Sequence, residues 1–231
     1  SVLGNALNLP FILADTDGDM KLEAWTIHTL GNTGDYNTLS RFTNNGELSF
    51  EIEYPEQSAT FYGFYVGKLD GQSVVPFGIR TKYDTHTQSL YAFTNAESVQ
   101  AGYPKVLDLP SPSYESMGPP SVGNLEGDMS LEIMVAADVY DSTVRCFNHL
   151  GGQCAAIPDI KIPATQMLFT ALGDINNDGF PELLTTENDR ESANFRIAAY
   201  DIASGKLLPG FPYLTTAFPK GQPVVADVDG V

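Results

Sequence analysis

"ILADTDGDMKLEAW", Ile12–Trp25, sets acids at alternate positions, Asp15, Asp17 and Asp19, and closes with Glu23. Like charges at this spacing repel one another. An exposed Asp–Gly turn accounts for one such stretch without any function, so repetition decides its meaning. "VGNLEGDMSLEIMV" (Val122–Val135) carries Asn124, Glu126, Asp128 and Glu132 in the same places. "LGDINNDGFPELLT" (Leu172–Thr185) carries Asp174, Asn176, Asp178 and Glu182. "VADVDGV" (Val225–Val231) begins the pattern again with Asp227 and Asp229. A further copy, "VGKLDGQSVVPFG" (Val66–Gly78), keeps Asp70 and Gly71 but has Lys68, Gln72 and Pro76 at the first, fifth and ninth positions.

The loop starts Asp15, Lys68, Asn124, Asp174 and Asp227 recur at about 50–56 residues, a period of propeller or solenoid arrays. The rest of the unit recurs as well. An aromatic residue and a polar turn follow each loop: "FTNNGEL" from Phe42, "FTNAES" from Phe93, "FNHLGGQ" from Phe147 and "YDIASGKL" from Tyr200. Two units then read "AGYPKV" (Ala101–Val106) and "PGFPYL" (Pro209–Leu214). The segments between these marks are short and rich in Leu, Phe, Tyr, Thr and Ile, which predicts four strands per unit. "ESANFRIAAYDI" has the composition of a helix, but its place in the repeat makes it a strand. Four strands in about 50 residues is the pattern of a β-propeller blade. The expected fold is therefore all-β, a propeller of four-stranded antiparallel blades in a single region, 1–231. Its units run at approximately 10–60, 61–115, 116–166 and 167–221, with a fifth opening at 222. Because the last loop opens inside "ADVDGV", the expectation is a larger ring of six to eight blades, completed by the same or another chain.

The bulk composition agrees. Of 231 residues, 42% are hydrophobic and 18% charged, enough apolar content for a sizeable core. No apolar run reaches the roughly 18–20 residues of a membrane helix. A net charge of −17 with 12 basic residues argues against nucleic acid as a partner and favours cations. The two cysteines, Cys146 and Cys154, bracket a Gly-Gly turn in "RCFNHLGGQC". If the turn is a hairpin, a disulfide across it becomes sterically allowed, and an oxidising compartment would follow.

The acid spacing is 1, 3, 5 and 9, and it points to a hard cation. Ca²⁺ takes about six to eight oxygens, and a tight loop with side chains at alternate positions turns three of them inward. A backbone carbonyl near position seven (Lys21, Ser130 or Phe180) adds another, and the acid at position nine returns from the next strand. Gly18 lets the chain bend. An EF-hand would need Gly at position six, Glu at position twelve and flanking helices. The first loop has Gly18 at position four and Thr26 at position twelve, the fourth has Thr185 at twelve, and the flanks read as strands, so the EF-hand is rejected.

These residues resemble the nine-residue calcium loops of FG-GAP and VCBS-type repeats, the units of integrin α-subunit propellers and of many microbial secreted proteins. "GDINNDGFPE" and "PGFP" look like the microbial members. The resemblance spans nearly the whole chain and implies Ca²⁺ between the first two strands of a blade. It implies two full sites, Asp15–Glu23 and Asp174–Glu182, a weaker one at Asn124–Glu132, and an opening one at Asp227 and Asp229. The Lys68–Pro76 loop should hold none, since Lys68 puts a cation where the ion would sit.

Nothing in the sequence points to catalysis. His28, His86 and His149 stand in no metal-binding spacing, and there is no nucleophile elbow, H-E-x-x-H or phosphate loop. Trp25 is expected to pack between blades. Three functions remain open: a secreted, cell-surface or periplasmic module that binds a protein or glycan; the accessory propeller of a secreted peptidase or polysaccharide-degrading enzyme; or a polysaccharide lyase propeller.

Overall fold

Each repeat unit folds as an antiparallel meander. The first sheet runs β1 (Ile12–Ala14), β2 (Glu23–His28), β3 (Thr38–Phe42), β4 (Leu48–Glu53), and the second β5 (Ala59–Lys68), β6 (Val74–Lys82), β7 (Thr87–Ala92), β8 (Lys105–Leu107). The third runs β9 (Ser121–Gly123), β10 (Glu132–Asp138), β11 (Thr143–Phe147), β12 (Ile160–Lys161). In the fourth, β13 (Gln166–Gly173), β14 (Glu182–Asp189) and β15 (Asn194–Asp201) are followed by β16 (Lys206–Leu207) and β17 (Tyr213–Thr215), which both pair with β15. This computed structural model describes residues 12–28, 38–53, 59–68, 74–82, 87–94, 98–107, 120–128, 130–138, 143–162, 166–189, 194–217 and 223–226. Among them there is no helix, and no helix is long and apolar enough to cross a membrane. The helix-like composition of 191–202 gives way to β15, because a strand in register with β14 buries Ala198, Ala199 and Tyr200.

The chain divides into two units, Ser1–Leu107 and Asp108–Val231. In the first, strand alternation puts Trp25 and Ile27 on one face of β2 and Thr26 and His28 on the other. The apolar face, with Leu39 and Phe50, packs against Phe61, Tyr91 and Phe93 of the second sheet. Within its own sheet Trp25 sits 6.0 Å from Phe50 with the Arg41 guanidinium 5.5 Å from its ring, and it shares the core cluster with Phe61, Tyr91 and Phe93 of the second sheet, so it packs between sheets as expected. The opposite face is polar yet buried, and there His28 Nε2 meets Ser40 Oγ at 2.7 Å while Ser40 donates to Glu51 at 3.1 Å.

In the second unit, successive first strands lie against each other through glycine. A Cβ on Gly123 would stand 3.2 Å from Leu172 Cδ1, and one on Gly173 would stand 2.4 Å from Val225 Cγ1. Val225 precedes Asp227 as Leu172 precedes Asp174, so 223–226 meets the fourth sheet as the fourth meets the third. Ser121 and Thr170 share a buried hydrogen bond of 2.7 Å across the same junction.

The turns explain the other recurrent marks. "AGYP" and "PGFP" place Gly102 and Gly210 at φ 90° before the cis peptides Tyr103-Pro104 and Phe211-Pro212. Tyr103 N–H then bonds Gln100 O, and Phe211 N–H bonds Leu208 O, so both motifs break the last strand in the same way. Cys146 and Cys154 are bonded, with Cα atoms 5.4 Å apart, across a hairpin closed by Asn148, whose side chain accepts from Leu150 and Gly152 N–H.

Gly173→Ala should be destabilising by about 1–3 kcal/mol, because the added methyl overlaps Val225 rather than filling space. Urea denaturation measures it, and Gly123→Ala, with its gentler contact, should cost less.

Candidate metal centre

Each acidic loop joins the first two strands of its sheet, and its ninth residue is the first residue of the second strand. Glu23, Glu132 and Glu182 pair with Ala14, Gly123 and Gly173, the last residues of the first strands. All three are buried, at 5%, 1% and 1% exposure. A buried carboxylate needs donors, and the loop provides them. Oε2 accepts from the N–H of the loop's second residue at 2.7 Å in every case: Thr16, Leu125 and Ile175. Thr16 Oγ1 adds a further bond in the first loop.

The same economy shapes the remaining positions. The carboxylate at position five accepts the N–H of position seven in all three loops: Asp19 from Lys21 at 2.8 Å, Asp128 from Ser130 at 2.7 Å, Asp178 from Phe180 at 2.9 Å. Position one accepts from positions four to six: Asp15 from Gly18 and Met20, Asn124 from Gly127, Asp174 from Asp178 and Gly179. Such wrapping needs left-handed backbone. Positions four and six take it in the first loop (Gly18 φ 82°, Met20 φ 65°) and in the fourth (Asn177 φ 59°, Gly179 φ 92°). Glycine fills one of the two positions in each, at opposite places, which explains why the glycine shifts between copies.

In the first loop, ligand oxygens of Asp15, Asp17, Asp19 and Glu23 all lie within 4.8 Å of one another. Two oxygens on opposite sides of a Ca²⁺ stand about 4.6–5.2 Å apart, so this set fits around one hard cation. Lys21 now holds Asp19 at 2.8 Å, which lowers the Asp19 pKa and raises its own. That pair is exposed and weak, so the lysine is readily displaced. In the fourth loop the Asn176 amide nitrogen donates to Asp178 and Glu182, both at 2.9 Å. Rotating the amide would place its oxygen beside Asp178 and Glu182 instead. Among the described residues, only the first loop gathers its acids within 4.8 Å.

Glu126 stands apart, since it turns to Ala155 and Ala156 outside its loop. Asp227 and Asp229 lie outside the described residues, as do Asp70, Gly71 and Gln72 of the second loop. Lys68 ends β5 opposite Val74, and Pro76, ninth in that loop, lies within β6 opposite Val66, so no glutamate heads this strand. Sequence reasoning passed over two buried polar groups, each five residues beyond the loop-closing glutamate. His28 is one. The other is Glu187, which accepts from Thr185 at 2.6 Å and Tyr200 at 2.8 Å and pairs with Arg196. Their common distance from Glu23 and Glu182 was the available signal.

Met20→Gly should stabilise the protein by about 0.5–1 kcal/mol in denaturant, since Met20 is 92% exposed and only its backbone conformation is strained. Glu132 carries a pH signature. Burial raises its pKa above the ordinary 4.5, so ionising it opposes folding as pH rises from 4.5 through the raised value. Glu132→Gln should therefore gain stability relative to the parent protein between about pH 4 and pH 7 in chelator. Denaturation at the two pH values measures it.

No family model matches the chain, and no curated protein matches it. Its fold is similar to that of the Dos1 propeller, with a TM-score of 0.50 and 13% identity over 86% of this chain and 45% of that one. It also has a weaker likeness, at a TM-score of 0.42 and 15% identity, to the V. cholerae biofilm matrix protein Bap1, over 85% of this chain and 38% of that one. The chain thus spans less than half the length of either. The Dos1 likeness and the four antiparallel meanders together make the fold a β-propeller of four-stranded blades.

Proposed function

We propose that this chain is a calcium-binding propeller module of the FG-GAP/VCBS type, which recognises a protein or glycan outside the cell and has no catalysis of its own. The observation that carries the reading is the first loop, where four carboxylates meet within 4.8 Å and an exposed lysine holds only one of them. Three Asp and one Glu form an all-oxygen donor set, which suits Ca²⁺ better than a softer metal. The fourth loop repeats the frame with Asn176 in the third place. The cation would join the first strand to the second and offset charge in a chain of net −17.

The Cys146–Cys154 bond supports a secreted, surface or periplasmic setting, because such bonds persist in oxidising compartments. A second reading is the accessory propeller of a secreted enzyme whose active site lies in another domain. The propeller fold suits both. A glycan array in calcium separates them: calcium-dependent capture of a defined glycan supports the first, and none, with activity in an attached domain, supports the second.

Removing the ion should lower the melting temperature. At calcium about 100-fold above Kd, each site contributes about 2.7 kcal/mol, or about 5–10 °C in a chain of this size. Asp17→Ala should reproduce part of the loss in calcium and change little in chelator. A melting curve indifferent to excess chelator would return the loops to ordinary acidic turns.

A further inference from the structure

Position three is where the third loop leaves the pattern of the other two. In the first loop Asp17 Oδ1 accepts Asp19 N–H at 3.1 Å, and in the fourth Asn176 Oδ1 accepts Asp178 N–H at 2.8 Å. Both side chains turn into their own loop. Glu126 turns out. Its Oε1 accepts the N–H of Ala155 at 2.8 Å and of Ala156 at 3.1 Å. The extra methylene of glutamate over aspartate supplies the reach. Ala155 and Ala156 directly follow Cys154, which is fastened to β11 by its disulfide and by its N–H on Cys146 O at 3.1 Å. The rest of the loop keeps the common frame: Gly127 N–H on Asn124, Ser130 N–H on Asp128, Leu125 N–H on Glu132.

With Glu126 withdrawn and a neutral amide at Asn124, the third loop keeps two carboxylates, Asp128 and Glu132. Its residues do not fit the cation that suits the first loop. We infer that the third loop takes no cation and is closed instead by a protein clasp, the Glu126 carboxylate holding the Ala155 and Ala156 amides on a segment anchored by the Cys146–Cys154 disulfide. The clasp does for this blade what a cation would do for the first. Two backbone dipoles offset the acid's charge, and the loop is cross-linked to the chain after the hairpin. The contrast between loops rests on the calcium reading of the first and fourth; the clasp itself does not.

Amide hydrogen exchange resolved by residue, in excess chelator and in saturating calcium, tests both parts. Calcium should slow exchange in Thr16–Lys21 and Ile175–Phe180 and leave Leu125–Ser130 unchanged. In chelator, Glu126→Asp should speed exchange at Ala155 and Ala156 about tenfold, because the shorter acid loses its reach to a charge-assisted bond. Glu126→Gln should speed it less, since an amide oxygen still accepts. Glu126→Asp should also give the third loop a calcium response, having restored the side-chain length of Asp17. Calcium protection of Leu125–Ser130 in the parent protein, at the concentration that protects the first loop, would overturn the inference. So would unchanged Ala155 and Ala156 exchange in Glu126→Asp. Protection in no loop would defeat the calcium reading instead, and the clasp would still stand or fall on the exchange of Glu126→Asp in chelator.

Discussion

A carboxylate taken out of water must be met by donors, and in three of the four sheets that carboxylate is the glutamate at the head of the second strand. Glu23, Glu132 and Glu182 each receive a backbone N–H from the loop's second residue at 2.7 Å. An unpartnered buried carboxylate would cost several kcal/mol. The chain therefore turns inward just after the first strand, and it returns in register at Ala14, Gly123 or Gly173. Once those two points are held, the side-chain oxygens at positions one and five face backbone N–H groups of their own loop. The loop is thus a carboxylate-organised turn, a frame that the protein builds from its own hydrogen bonds.

The sheets divide their faces by the same logic. In the first unit one face of β2 is apolar and closes on the aromatic residues of the next sheet, while the other buries Thr26, His28 and, from β3, Thr38 and Ser40. Buried polar side chains are stabilised by hydrogen-bond partners. His28 does so through Ser40, and Glu187 through Thr185, Tyr200 and Arg196. The Tyr200 hydroxyl is kept neutral by burial first and by the neighbouring Glu187 second, as a donor to a carboxylate should be. Thr170 pairs with Thr185 and bonds Ser121, so this network shares the face by which the fourth sheet meets the third.

The third blade shows how far one repeat can drift without losing its frame. Its glutamate at position nine, its position-one turn and its position-five turn are those of its neighbours. A single added methylene at Glu126 lets that acid serve another segment, and the neighbouring hairpin carries the disulfide of the chain.

The sequence by itself determined what is local or periodic. The spacing of the loops predicted four units, place in the repeat predicted a strand where composition favoured a helix at 191–202, and two cysteines around a Gly-Gly turn made a bonded hairpin sterically allowed. These were legible because each depends on residues close together in the chain. Tertiary structure decided the rest. The direction of Glu126 depends on Ala155 and Ala156, about 30 residues away. The left-handed backbone at Met20, where no glycine marks it, follows from Asp15 drawing the Met20 N–H inward. The buried settings of His28 and Glu187 depend on neighbouring strands whose side chains close over them. A residue's type and spacing state what it can bond; which partner it takes depends on what the fold brings within about 3 Å.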